Sequence, residues 1–177
     1  VREVAKKGTV LVGFHEKRSS FIADMKSCEI LPKRVSDLLV PLRELINSLS
    51  LRKKLPQIEL AVTDEALALV LRVLEKLTAD DEAKLRQFQK DSGVDFWYQP
   101  KGPDSIYPMD PENATRLKLH HRETGVEVVF RPTDFTQVNH RLNEVMVTRV
   151  LRLLHLEPSS KVIDFFCGLG NFTLPLA

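Results

Sequence analysis

Near the end of this chain an apolar run, residues 161–166 (KVIDFF), leads directly into Cys167-Gly168-Leu169-Gly170-Asn171. No other stretch limits the fold as much. A short apolar run closed by a turn reads as a strand buried on both faces, and such strands belong to parallel sheets covered by helices. The run delivers a carboxylate, Asp164, and then a turn whose glycines let backbone approach a ligand closely. Two glycines fit the dinucleotide fingerprint poorly. The bland alternative is a tight strand-to-helix turn with packing glycines. A strand of this kind needs neighbours, and the 177 residues leave none after it, while Val1 is no initiator methionine. The chain is therefore expected to be an excised segment of a larger protein.

Upstream, the pattern changes. Residues 9–15 and 21–25 read as two strands of a hairpin joined by a basic connection, Lys17-Arg18. Apolar positions 35, 38, 39, 42, 45, 46 and 49 fall on one helix face, and Pro41 predicts a kink or two short helices. Arg52-Lys53-Lys54 reads as an exposed basic knot. Strands are expected at 57–62 and 66–74 around the turn Thr63-Asp64-Glu65. Thr78 and the acids Asp80, Asp81 and Glu82 mark a helix start, and Gly93 its end. A strand at 94–99, a Pro-rich loop at 100–113 and a hairpin of 116–120 with 126–131 follow. Leu142, Val145, Met146, Val150, Leu153 and Leu154 mark a long amphipathic helix.

Together these give an α+β domain over 1–131 and a second, α/β-type domain begun over 132–177. Composition agrees with a packed globular chain: 43% of residues are hydrophobic and 28% charged, which excludes disorder. No apolar run reaches the ~20 residues of a membrane helix. Two cysteines, Cys28 and Cys167, cannot form a disulfide scaffold and suit a reducing cytoplasm. The net charge of +2 hides an uneven distribution: residues 1–60 hold twelve Lys/Arg against seven Asp/Glu. Such a basic third could face phosphates, with Arg2, Lys6, Lys7, Lys17, Arg18 and Lys26 as candidates, although most charge runs are solvated faces. His120-His121 lie on opposite faces of a strand and make a poor metal pair. Phe96-Trp97-Tyr98 alternates across a strand, so one face is expected to be core.

The strand–glycine loop fits motif I of methyltransferases that use S-adenosylmethionine (SAM). A second motif lies before the amphipathic helix, Asp134-Phe135-Thr136-Gln137-Val138-Asn139. D-F-x-Q-V-N, a helix, and D-x-F-C-G-x-G-N-F-T-L-P-L-A together resemble the RNA (uracil-5-)-methyltransferase family, most of all its bacterial branch acting on 23S ribosomal RNA. The likeness is dense over 130–177 and looser around Val12-Gly13-Phe14 and residues 26–31.

That resemblance implies a Rossmann-like SAM-dependent domain, of which 132–177 would be the first helix and strand. It implies that Gln137, Phe166 and Asn171 contact SAM, with Gly168 and Gly170 shaping the loop and Asp164 a secondary candidate. Phe135 would stack on a flipped uracil. Ordinary core packing is the alternative for both phenylalanines. Cys28 matches the last of four cysteines holding a 4Fe-4S cluster in the 23S branch; the other three have no counterpart in this chain, and one thiolate makes no cluster site. The implied reaction adds a cysteine thiolate at carbon 6 of uracil, transfers the methyl group to carbon 5, and removes the carbon 5 proton with a base. Nucleophile and base both match segments outside this chain, Cys167 being no match for the nucleophile, so the segment alone is expected to be inactive. The rival readings are a non-catalytic RNA-binding module and a tRNA-directed enzyme of the same family. The segment is further expected to self-associate through its unpaired strand, or to leave the tail beyond Pro132 poorly packed.

Overall fold

The computed structural model describes residues 1–4 and 8–177, so Lys6 and Lys7 lie outside the described residues. It is an α+β structure with a mixed sheet, and the chain divides into two units: residues 1–60 with 67–114, and residues 61–66 with 115–177.

The first unit begins with an antiparallel pair, β1 (Arg2–Val4) and β2 (Thr9–Leu11), in which Glu3 faces Val10. The expected hairpin of 9–15 with 21–25 is thus largely replaced. Residues 9–11 pair backwards onto β1, and the two expected strands meet only at the His15–Ile22 bridge. The chain still doubles back there, with the Ala23 amide donating to Phe14 O at 3.0 Å. Gly13 permits this approach, because a Cβ on it would stand 2.5 Å from the Ala23 carbonyl oxygen.

The helical face at 35–49 forms as two helices, α1 (Lys33–Ser36) and α2 (Leu39–Ser48). The break falls at 37–38, ahead of Pro41. Proline then occupies the first turn of α2, where its missing N–H has no intrahelical partner to lose. Leu39, Leu42, Leu45 and Ile46 are buried, as the spacing requires. Asn47 fastens α2 to β2: its Oδ1 accepts from the Val10 amide at 2.7 Å and its Nδ2 donates to Val10 O at 3.1 Å. Residues 52–54 form one 3-10 turn.

A four-stranded sheet runs in the order β3 (Gln57–Val62), β4 (Leu67–Arg72), β5 (Asp95–Gln99), β6 (Tyr107–Pro108). β4 and β5 are parallel, with Leu69 opposite Phe96. Parallel neighbours require a crossover, and α3 (Ala79–Ser92) provides it. Five consecutive residues of β4 are buried, the signature of a strand covered on both faces. Phe96 and Tyr98 are buried and Trp97 is half-buried, so the alternation expected at 96–98 holds. The Pro-rich loop conceals β6, whose two residues pair antiparallel with β5 at the sheet's edge, where a proline is tolerated.

The second unit holds the hairpin β7 (Leu117–His121) and β8 (Val126–Phe130), shifted one residue from expectation, then α4 (His140–Leu154) and the short α5 (Thr173–Leu176). Two expectations fail in this unit. Residues 161–166 form no strand, and none of their amides donates a hydrogen bond among the described residues. An extended segment becomes a strand only beside a partner that takes its N–H and C=O groups, and no described strand lies alongside. The helix at 132–177 therefore forms without the strand expected to follow it. The apolar face expected to bury α4 is also the exposed one: Leu142, Val145 and Leu153 face solvent, while Asn143 and Val147 are buried.

Candidate functional site

Every residue expected at the cofactor or the uracil belongs to the second unit, whereas Cys28 and the described basic candidates belong to the first. The D-F-x-Q-V-N segment is shaped by its acid. Asp134 accepts from the Arg131 amide at 2.7 Å and pairs with the Arg131 guanidinium at 3.2 Å, closing a turn. Phe135 follows it with 82% of its surface exposed. Gln137 is exposed as well, with no protein partner among the described residues. Asn139 then starts α4: its side-chain oxygen accepts from the Leu142 amide at 3.0 Å, which satisfies one of the free N–H groups at a helix start.

The glycine loop is a chain of tight turns. The Gly170 amide donates to Cys167 O and the Leu174 amide to Gly170 O, each at 2.9 Å. Gly168 has φ +56 and Gly170 φ +84, a left-handed region that side chains disfavour. The two differ in surroundings: a Cβ on Gly170 would lie 2.9 Å from Leu174 Cγ, whereas one on Gly168 would meet open space. Phe166 also takes a left-handed φ of +63 and is fully exposed. Asp164 has a partner inside the protein, because the Thr173 hydroxyl donates to it at 2.6 Å and so fixes the start of α5. A cavity of about 350 Å³ opens beside this bridge, lined by Leu156, Pro158, Val162 and Leu176 among others. Cys167 is exposed.

The structure ties the glycine loop to α4, the helix that follows the D-F-x-Q-V-N segment, through Asn143, a residue the sequence motifs do not single out. The side chains of Asn143 and Asn171 exchange hydrogen bonds, Asn143 Nδ2 to Asn171 Oδ1 at 2.8 Å and Asn171 Nδ2 to Asn143 Oδ1 at 2.9 Å. The available signal was an asparagine one helical turn after Asn139, polar in a helix read only for its leucines and valines. Thr173 was likewise passed over.

A second cavity of about 350 Å³ lies between the β7–β8 hairpin, α4 and residues 63–65. His120 is exposed and His121 buried, the opposite faces expected of neighbours on a strand. Nε2 of His121 is buried without a partner. Burial pushes the His121 imidazole below its ordinary range, and His120 adds to this, against an opposing pull from Glu144. His140 is lowered by burial too, against Asp64. The cavity's charges are mixed, since Lys118 pairs with Glu127 at 2.7 Å and Arg122 contacts Asp64 at 3.9 Å and Glu144 at 4.0 Å.

In the first unit Cys28 is half-buried, and its amide donates to the buried Ser36 hydroxyl at 2.8 Å. No group of three or more His, Cys, Asp or Glu fit to hold a metal occurs among the described residues. The basic candidates are divided. Arg2 bonds Ser20 O and lies 5.8 Å over the Phe21 ring. Lys53 pairs with Glu3 at 3.2 Å and Lys54 with Glu75 at 2.8 Å, so the expected knot is engaged in local ion pairs. Lys17, Arg18 and Lys26 are exposed. No described helix is long and apolar enough to cross a membrane.

Comparison with known proteins agrees with the motifs. The chain is 58% identical over 177 residues to the 23S rRNA (uracil(1939)-C(5))-methyltransferase RlmD of Cupriavidus necator, with all of the chain and 40% of that protein covered. Proteins of the same name from Ralstonia pickettii and Burkholderia lata are 56% and 59% identical, each matched over the whole chain and over 39% and 38% of their own lengths. The chain thus spans about two fifths of these relatives. The model of the tRNA (Uracil-5-)-methyltransferase family matches residues 11–177, and the chain belongs to that family.

Proposed function

We propose that this chain is the part of a SAM-dependent 23S rRNA uracil-5-methyltransferase that carries the central domain, over 1–131, and the opening of a Rossmann-like methyltransferase domain, over 132–177. One observation carries the reading: the D-F-x-Q-V-N segment leads into the helix whose Asn143 bonds Asn171 of the glycine loop, within one unit. The names of the matched relatives supply the acceptor.

The residues present fit a bound SAM. Open space beside Gly168 lets the group approach bare backbone. The exposed Phe166 ring offers a face for a planar base, and the free Gln137 amide offers both a donor and an acceptor. When bound, SAM supplies an electrophilic methyl group on a sulfonium. Asn171 presents its amide from the loop, while Asp164 acts at one remove by holding Thr173. Phe135 stacks on the extruded uracil, an interaction worth ~1–3 kcal/mol per base. Carbon 5 of uracil becomes nucleophilic once a thiolate has added at carbon 6, and after methylation a base removes the carbon 5 proton as the carbon 6–sulfur bond breaks and the thiolate leaves. We assign thiolate and base to parts of the protein outside these residues.

The described residues do not by themselves fit a 4Fe-4S cluster, which takes four thiolates. In our reading Cys28 is the one ligand this chain contributes, and no step passes through the cluster. Lys17, Arg18 and Lys26, exposed in the first unit, are candidates to contact RNA backbone, and the setting is cytoplasmic. Isolated from its remaining partners, the segment would self-associate through 161–166. A tRNA acceptor is the second reading, and rests on the description of the matched family.

The test uses the full-length protein, SAM labelled in its methyl group, and separate 23S rRNA and tRNA substrates. Label should appear on a uracil of 23S rRNA and fall at least tenfold with Gln137→Ala. Label on tRNA alone would replace the acceptor, and label on neither would leave an RNA-binding module.

A further inference from the structure

We propose that Asn143 is a positioning residue, which holds Asn171 in the orientation that receives the cofactor; the inference rests on the reading of Asn171 as a SAM contact. The packing of α4 is the starting point. This helix leaves Leu142, Val145 and Leu153 in solvent while a primary amide, only 5% exposed, takes a buried position. Burying an amide is unfavourable unless its hydrogen bonds are met. Asn143 meets them on one partner, donating to Asn171 Oδ1 at 2.8 Å and accepting from Asn171 Nδ2 at 2.9 Å.

A primary amide has two N–H groups and a carbonyl oxygen with two lone pairs. The reciprocal pair takes one of each from Asn171 and fixes its amide plane. One N–H and one lone pair remain on a half-buried residue of the glycine loop, available to a ligand. Asn143 is tied in turn to the other motif. Its backbone N–H donates to Asn139 O at 2.9 Å, and Asn139 caps the helix two residues after Gln137. The Asn143 side chain thus ties the glycine loop to the first turn of the helix that the D-F-x-Q-V-N segment starts.

A purely structural tie would lower stability without distinguishing one substrate from another, whereas a positioning role acts on SAM. In the full-length enzyme Asn143→Ala should raise KM for SAM about tenfold, the scale of one neutral hydrogen bond, with KM for RNA unchanged. Asn143→Asp keeps an acceptor for Asn171 Nδ2 and loses the donor, so it should fall between wild type and Asn143→Ala. The double variant with Asn171→Ala should be no worse than Asn171→Ala alone, because Asn143 acts only through Asn171. Wild-type KM for SAM in Asn143→Ala, or additive losses in the double variant, overturns the inference while the Asn171 reading stands. If Asn171→Ala itself leaves SAM binding unchanged, both fall. Should Asn143→Ala fail to fold, Asn143→Asp decides: a raised KM for SAM alone supports the role, and an unchanged one ends it.

Discussion

His121 shows how a single side chain acquires its chemistry from its place on a strand. Alternation along β7 sends His120 to solvent and His121 inward, which follows from a period of two. The consequences depend on what surrounds it, including Glu144, His120 and the cavity also faced by Asp64 and His140. Burial lowers its affinity for a proton below that of the unfolded chain, whose ordinary value is 6.5. As pH falls below that value the unfolded chain takes up a proton that the folded one resists, so stability is complete above it and declines below. His140 contributes in the same direction. Urea midpoints measured from pH 8 to pH 5 should therefore drop on the acid side, and His121→Leu should flatten part of that drop. A drop identical to wild type would show that His121 titrates normally. Among the expected site residues, exposure of Phe135, Phe166 and Gln137 was not legible in sequence, because apolar neighbours alone do not tell a surface loop from a core.

At the scale of elements, local chemistry was the better guide where both ends of an element are marked. Thr78, the acids after it and Gly93 delimit α3 in the sequence, and the structure adds the reason. Thr78 Oγ1 accepts from the Asp81 amide at 3.1 Å, and the Thr78 amide donates to the Asp81 carboxylate at 3.4 Å. Gly93 closes the helix at φ +69. Asp81 reaches further than a cap needs to. Fully buried, it also accepts from the Ser50 amide at 2.8 Å and the Ser50 hydroxyl at 2.5 Å. Burial pushes its carboxyl up, but the bonds from Ser50 and Thr78 outweigh this and hold it below its ordinary value. Asp81→Ala removes the carboxylate half of the capping box and leaves the Ser50 amide and hydroxyl without their partner, for an expected loss of ~2–4 kcal/mol. Thermal or urea unfolding measures it, and a loss under ~0.5 kcal/mol would mean that water replaces the carboxylate. Of the elements that differ from expectation, 161–166 has no pairing partner marked in the chain, whereas 9–15 has two neighbours, 2–4 and 21–25, and pairs with the first over 9–11.

For the whole molecule, the apolar surface of the second unit is the main feature. Ile163 is 78% exposed and Phe165 77%, and leucines and valines of α4 are exposed as well. Soluble domains rarely leave so much apolar surface uncovered, and the chain spans about two fifths of its relatives. In a dilute monomer of the 177-residue polypeptide, amides 162–166 should exchange within the dead time of a manual hydrogen-exchange experiment, while those of β4 and β5 stay protected. Strong protection of 162–166 in a dilute monomer would show that this segment finds a partner within the chain.

The alternation of β5 and β7, the limits of α3, the helix after Asn139 and the motifs that place the chain in its family are all legible in the order of the amino acids. Each of these depends on side-chain period or on caps a few residues apart, so the information is local. Folding in three dimensions was needed to set β4 and β5 parallel, to leave residues 161–166 without a ladder, and to bring Asn143 onto Asn171. These turn on partners brought from elsewhere in the chain. A strand's hydrogen bonds and a buried amide's are satisfied by whatever packs beside them, and that is a property of the folded arrangement.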